Sequence, residues 1–223
     1  MSASVPAHGV RLQHLTLTGP AGDLEAVLQE REDFAHPVVA VVCHPHPLYG
    51  GTLHNKVAHR VASTLLDLGV AVLRFNFRGV GKSAGRFDHG HGELEDARAM
   101  LGWMEQRHPR ARRWAAGFSF GSWVAARLAA SEPGIERLIL VAPPVATQDF
   151  SSMRECVTPK LVLQGTADDI CPLERLEEHF PVWAEPKKLV LIPGASHFFD
   201  RQLHPLADAM REALSGVTAE ERV

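Results

Sequence analysis

Apolar and polar positions alternate along this chain in two rhythms. From residue 38 onward, short apolar runs rich in β-branched residues take turns with longer stretches of helical spacing. Val38-Val39-Ala40-Val41-Val42-Cys43 has no polar break, the pattern of a strand covered on both faces. Val70–Phe75, Arg113–Phe118, Leu138–Ala142, Lys160–Gln164 and Lys188–Ile192 read as further strands. Between them, Leu53–Leu68 places Val57, Val61, Leu65 and Leu68 on one stripe, and Glu93–Arg107 does the same with Leu94, Ala97, Leu101 and Met104. Both spacings predict amphipathic helices. Gly121–Ala130, Glu174–Trp183 and Leu206–Leu214 predict three more. Ahead of this alternation, the extended segments Val10–Thr18 and Leu24–Gln29 have no helix between them and predict an antiparallel entry hairpin. Residues 217–223 are polar and expected to fray.

Strands alternating with helices imply a mostly parallel sheet with helices on both faces. No repeat, low-complexity tract or linker-like composition interrupts the 223 residues. The expectation is one three-layer α/β domain over residues 1–223, with an ordered core of about 10–215. Composition narrows this further. A chain that is 45% hydrophobic and 22% charged is not disordered, and a net charge of −3 offers no basic field for nucleic acid. The basic run Arg107–Arg113 reads as a solvated loop. The longest clean apolar run, Val38–Cys43, is far too short for a bilayer, so no membrane insertion is expected. The N-terminal residues show no basic segment leading into an apolar one. Three cysteines, Cys43, Cys156 and Cys171, with no Cys-x-x-Cys pair, suit a reducing compartment. A cytoplasmic location follows as the expectation.

The chemistry concentrates where strands end. Gly117-Phe118-Ser119-Phe120-Gly121 is Gly-x-Ser-x-Gly at a strand-to-helix junction. There a serine on a sharp turn rises above the sheet edge, glycines relieve the crowding on either side, and the helix N-terminus backs a developing oxyanion. A serine hydroxyl needs a base, and the base needs an orienting carboxylate. Asp168 and Asp169 follow the strand Lys160–Gln164, and His197 follows the strand Lys188–Ile192. Parallel strands share one carboxyl edge, so all these groups stand on the rim of Ser119. Asp168 is the preferred acid, with Asp169 as the competitor. Cys43-His44-Pro45-His46-Pro47-Leu48-Tyr49-Gly50-Gly51 follows the first central strand. Its prolines carry no N–H, which leaves His46 or Leu48 as amide donors, His46 being nearer the strand end. A rival reading joins His44-x-His46 with His89-x-His91 as metal ligands, but no carboxylate accompanies them in a ligand pattern. Gly81-Lys82-Ser83 imitates the end of a phosphate-binding loop. Asn76 stands where that motif needs glycine, and no helix pattern starts at once.

Together these residues resemble the α/β-hydrolase superfamily. The elbow Gly117–Gly121, Gly165-x-x-Asp168-x-x-x-Pro172, Gly194-x-Ser196-His197 and the Asn76–Ser83 loop each look like pieces of it. The His44–Gly51 run is similar to that of small, lidless bacterial serine hydrolases. The resemblance covers roughly residues 10–215. It implies an eight-stranded, mostly parallel sheet with an antiparallel N-terminal hairpin, Ser119 as nucleophile, His197 as base, Asp168 as acid and the amides of Phe120 and His46 as oxyanion hole. One departure is that His44 is followed by Pro45, where larger members have glycine. Lid insertions in the superfamily usually follow the strand Leu138–Ala142; here only residues 143–159 intervene, so an open site without a lid domain is expected. Pro143, Pro144, Val145, Phe150 and Met153 either rim that site or pack on the core. The expected activity is hydrolysis of a small-molecule carboxylic ester or thioester through an acyl-enzyme, with no cofactor or metal. An acyltransferase or peptidase on the same groups, and a non-catalytic ligand-binding scaffold, are the alternatives. The edge strands of the hairpin and of Lys188–Ile192 could pair between subunits, but the oligomeric state is not readable.

Overall fold

The computed structural model describes residues 9–32 and 37–219, with side chains up to 215. Two antiparallel strands, β1 (Val10–Gly19) and β2 (Gly22–Arg31), lead into β3 (Val38–Cys43), α1 (Lys56–Asp67), β4 (Ala71–Phe75), α2 (His91–Arg107), β5 (Arg112–Phe118), α3 (Phe120–Ser131), β6 (Ile135–Val141), β7 (Lys160–Gly165), α4 (Leu173–His179), β8 (Lys187–Ile192) and α5 (Leu203–Ala219). The eight strands form one sheet in the order β1-β2-β4-β3-β5-β6-β7-β8. β1 and β2 run antiparallel, β2 meets β4 antiparallel, and every pairing from β4 to β8 is parallel.

The two-faced strand pattern has a direct structural counterpart. In β3, Val39, Val41 and Cys43 enter the core under α2 and α3, while Val38, Ala40 and Val42 enter the core under α1 and α5. Alternation with a period of two places successive residues in different cores, so an unbroken apolar run is what a central strand requires. β6 repeats this, with Leu138 and Leu140 on one side and Ile139 and Val141 on the other.

Local signals explain where helices begin and end. The Asn55 side chain accepts the amides of Val57 and Ala58 at 2.9 and 3.2 Å, an N-cap that starts α1 at Lys56, three residues after the predicted start at Leu53. Gly69, at φ 90°, ends the helix: its amide reaches Leu66 O at 2.9 Å and the Val70 amide reaches Leu65 O at 3.0 Å, a Schellman closure that turns the chain into β4. The predicted helix over Glu174–Trp183 stops instead at His179, and Phe180–Val182 forms a 3-10 turn, because Pro181 cannot supply the next helical amide. The last helix is longer than its apolar stripe. It starts at Leu203 with Pro205 in its first turn, where a missing amide does no harm, and runs to Ala219. Of the segment expected to fray, residues 217–219 are helical and residues 220–223 lie outside the described residues.

The loop between β4 and α2 is tied down by polar groups. Asn76 Oδ1 accepts the Leu53 amide at 2.7 Å, and Ser83 Oγ donates to Asn76 O at 2.8 Å while accepting the Glu25 amide. Glu25 Oε2 accepts Asn76 Nδ2 at 2.7 Å and the Lys82 amide at 3.1 Å. A carboxylate of the protein thus already occupies the Lys82 amide, and no helix begins before His91, so Gly81-Lys82-Ser83 is not a phosphate loop. Asp96, fully buried on α2, accepts from the Arg78 amide at 2.9 Å and from its guanidinium at 2.7–3.1 Å. The basic run is also engaged rather than free: Arg107 pairs with Glu30, Arg112 with Glu136 and Arg113 with Glu105.

Removing one partner of a buried ion pair strands the other. Asp96→Ala is therefore expected to lower the unfolding free energy by roughly 3–5 kcal/mol, read by chemical denaturation. A loss below about 1 kcal/mol, the value of an exposed pair, would show that the Arg78 loop is held by other contacts.

Candidate active site

Ser119 is the last residue before α3 and has φ 53°, ψ −124°, a conformation that side chains adopt only under constraint. The constraint is the close approach of three backbones. A Cβ at Gly117 would lie 2.1 Å from Gly121 O, and one at Gly121 would lie 2.2 Å from Cys43 O and 2.5 Å from His44 O. Gly121 therefore makes room for the chain leaving β3 as well as for the turn itself. The Ser119 amide still donates to Val141 O at 2.9 Å, which anchors the turn on β6.

His197 Nε2 stands 3.1 Å from Ser119 Oγ, and His197 Nδ1 stands 2.9 and 3.2 Å from the two oxygens of Asp168. Asp168 also accepts the amides of Cys171 (2.7 Å) and Ile170 (3.0 Å) and the side-chain amide of Gln164 (3.1 Å). A carboxylate placed there accepts the Nδ1–H and fixes the ring orientation, leaving the Nε2 lone pair for the serine hydroxyl. The Asp168 and His197 side chains are 0% and 4% exposed, whereas Asp169 is exposed. Of the two competing acids, only Asp168 meets His197. The loops that carry this pair are laced together: Thr166 N reaches Ile192 O, Ala167 N reaches Ala195 O, and Gly194 N reaches Thr166 Oγ1. A Cβ on Gly165 would sit 2.3 Å from Ala195 O, so this lacing also depends on a glycine.

The loop after β3 wraps the other side of Ser119. The buried His44 ring accepts the Phe77 amide at Nε2 (3.1 Å) and donates from Nδ1 to Pro45 O (2.7 Å). Burial pulls its pKa down to about 4, with the Pro45 hydrogen bond opposing, so the ring is neutral and structural. His46 Nδ1 accepts the Leu48 amide at 3.2 Å, and its ring lies against Tyr49, Phe120 and Phe87 at 4.7–5.0 Å. The four-histidine metal reading, set aside on the sequence, finds no support here: His44 spends both ring nitrogens on backbone and His46 spends Nδ1. Leu48 has likewise spent its amide, while those of His46 and Phe120 have no partner among the described residues. Gly51 closes the loop, since a Cβ there would meet Pro45 O at 2.0 Å. Among the described residues, the group whose donor atoms converge as metal ligands do is Asp168, Cys171 and His197.

Ser119 and His197 open into a cavity of about 380 Å³ lined by Pro45, His46, Tyr49, Gly50, Gly51, Asn55, Ile170 and Phe198. A second hollow of about 360 Å³, bounded by Leu48, Phe87, His89, Phe120 and Gln148, lies beyond a shared wall of His46 and Tyr49. The apolar side chains Leu48, Tyr49, Ile170 and Phe198 are 66%, 86%, 55% and 41% exposed around this mouth. Motif reading included Leu48 and Tyr49 in the loop after β3 and Ile170 in the segment after β7, but gave no apolar side chain a place at the mouth. Of the two readings open for residues 143–153, packing on the core is the one the structure gives. Val145, Phe150 and Met153 are core residues, with Phe150 stacked on Trp183 at 5.5 Å.

This strand–turn–helix serine, on a parallel sheet and without an inserted lid, defines an α/β serine hydrolase. A profile of the serine aminopeptidase S33 family matches residues 37–157, and the chain belongs to that family of α/β hydrolases. An uncharacterised protein of Rickettsia prowazekii is 36% identical over 212 residues, covering 91% of this chain and 89% of its own. An α/β serine hydrolase homologue from Coxiella burnetii superposes with a TM-score of 0.87 at 40% identity, over 91% of this chain and 97% of that one. A Xanthomonas campestris α/β serine hydrolase described as lacking a lid gives 0.86 at 39% identity, over 96% and 97%.

The depressed titration of His44 has a consequence for stability. The unfolded ring binds a proton near its ordinary 6.5 and the folded ring only near 4, so stability present above the unfolded value is lost as pH falls through this window. The loss is expected to reach roughly 3 kcal/mol. Denaturation of the protein and of His44→Gln at matched pH should show that part of the slope missing in the variant.

Proposed function

We propose that this hydrolase cleaves a carboxylic ester or thioester carrying an apolar acyl or aryl group, through an acyl-enzyme on Ser119. The observation that supports this most is the unbroken hydrogen-bonded chain from Ser119 through His197 to Asp168, opening into a cavity with an apolar rim. Ser119 Oγ attacks the carbonyl carbon as its proton passes to His197 Nε2, and Asp168 stabilises the imidazolium that forms. The amides of Phe120 and His46 receive the oxyanion. Collapse expels the alcohol or thiol, which takes the proton from His197. Water, deprotonated by the same ring, then releases the acid and frees Ser119.

The peptidase alternative fits the cavity less well. Among the described residues that line it, no carboxylate stands ready to pair with the free amino terminus of a peptide. A purely ligand-binding scaffold has no use for a strained serine within hydrogen-bond reach of a buried, oriented histidine. The three free, buried cysteines are consistent with a cytoplasmic setting, and among the described residues no helix is long and apolar enough to cross a membrane.

Intact mass after treatment with a fluorophosphonate should show one stoichiometric adduct, absent in Ser119→Ala; a folded protein that takes no adduct would refute the nucleophile. On an ester and thioester panel, Asp168→Asn is expected to lower kcat about 10³–10⁴-fold by releasing the tautomer, and Asp169→Asn to leave it nearly unchanged. Tyr49→Ala and Phe198→Ala should each raise KM for aryl esters up to about tenfold, with kcat nearly constant, as loss of a binding contact requires.

A further inference from the structure

One buried nucleophile plays no part in this chemistry. Cys171 is 4% exposed, and its backbone amide supports Asp168 while its thiol stands in hydrogen-bonding contact with Ser119. Cys171, His197 and Asp168 each present a donor atom within 4.8 Å of the others. These are one sulfur, one imidazole nitrogen and one carboxylate oxygen, on two loops that the Thr166, Ala167 and Gly194 hydrogen bonds hold together. Of the trio, His197 lines the cavity beside Ser119.

We propose that Cys171, His197 and Asp168 form a binding site for a thiophilic divalent cation, Zn²⁺ above all, and that its occupation silences Ser119. Mixed sulfur, nitrogen and oxygen donors are the ligand types that Zn²⁺ takes. Mg²⁺ and Ca²⁺, which want oxygen, do not suit a thiolate and an imidazole. Burial pushes the Cys171 thiol up to about 12, a cost that the metal must offset. The metal displaces the thiol proton to solvent, and its two positive charges then balance one thiolate and one carboxylate. Ligation of either ring nitrogen stops hydrolysis. At Nε2 it takes the lone pair that accepts the serine proton; at Nδ1 it replaces the hydrogen bond to Asp168. The silencing, unlike the binding, rests on the function proposed above for Ser119.

The test uses metal-free full-length protein and cadmium as a spectroscopic stand-in. Titration with CdCl₂ should raise a near-ultraviolet thiolate-to-cadmium charge-transfer band that saturates at one ion per chain. The band should survive in Ser119→Ala and vanish in Cys171→Val, with Cys171→Ser as the second variant should valine disturb the fold. Asp168→Asn should weaken cadmium binding roughly 10–100-fold. Zn²⁺ should block fluorophosphonate labelling of Ser119 in the unmutated protein, and EDTA should restore it. No band in the unmutated protein, or a band undiminished in a folded Cys171 variant, overturns the site. A band with labelling unaffected by Zn²⁺ overturns the silencing. If Ser119 takes no label even without metal, the hydrolytic reading fails, and the cadmium band still decides the site.

Discussion

The close approach of the first turn of α3 to the carboxyl end of β3 is the contact from which the rest of the site follows. At Gly121 two backbones meet with no room for a methyl group, because the carbonyls of Cys43 and His44 lie where a Cβ would stand. That proximity forces the chain between β5 and α3 into a turn so sharp that Ser119 takes a positive φ. It also brings the loop that follows β3 alongside the helix N-terminus. Ser119 and the loop after β3 are therefore positioned by one backbone contact, and a β-carbon at residue 121 would disturb both at once.

The sheet order supplies the other half. β3 lies between β4, reached through α1, and β5, reached through α2, so the chain leaves β3 in one direction and returns on its other side. Such a switch opens a crevice at the carboxyl ends of the strands. Ser119 follows β5, Asp168 follows β7 and His197 follows β8, so their separation is set by the spacing of rigid strands. What the strands leave loose, the interloop hydrogen bonds and the four donors around Asp168 take up. The His44 ring does similar work on the far side, joining Pro45 O to the Phe77 amide and so binding the loop after β3 to the loop after β4.

Much of this was legible in the residues themselves, and the physical reason is that strands and their carboxyl ends leave a period-two and end-of-run signature. All eight strands and the meeting of Ser119, Asp168 and His197 were readable in that way. Helix ends were less so, because caps override stripes: Asn55 delays α1, and Pro181 cuts α4 short. The choice between Asp168 and Asp169 needed burial, which two adjacent carboxylates do not disclose. The sequence offered a metal role for His44 only as a rival reading, and its two backbone partners show it to be a strut. The apolar mouth was invisible for a different reason. Leu48, Tyr49, Ile170 and Phe198 belong to no periodic run, and exposure is a property of the folded surface.

Burial across the site is graded, and the grading follows from the missing lid. The chain between β6 and β7 returns to the core through Phe150 and Met153 instead of arching over Ser119. The carboxylate end is consequently dry, with Asp168 and His197 nearly unexposed, while Ser119 remains half-buried at the cavity floor. A dry carboxylate–imidazole pair keeps its strength, since little water competes for it. For the proposed reaction, the wet end needs no opening motion to admit water. Exclusion of water around the reacting carbonyl would then fall to the substrate, its apolar part set against Tyr49, Ile170 and Phe198. Without a lid, the same contact that selects a substrate also shields its reaction.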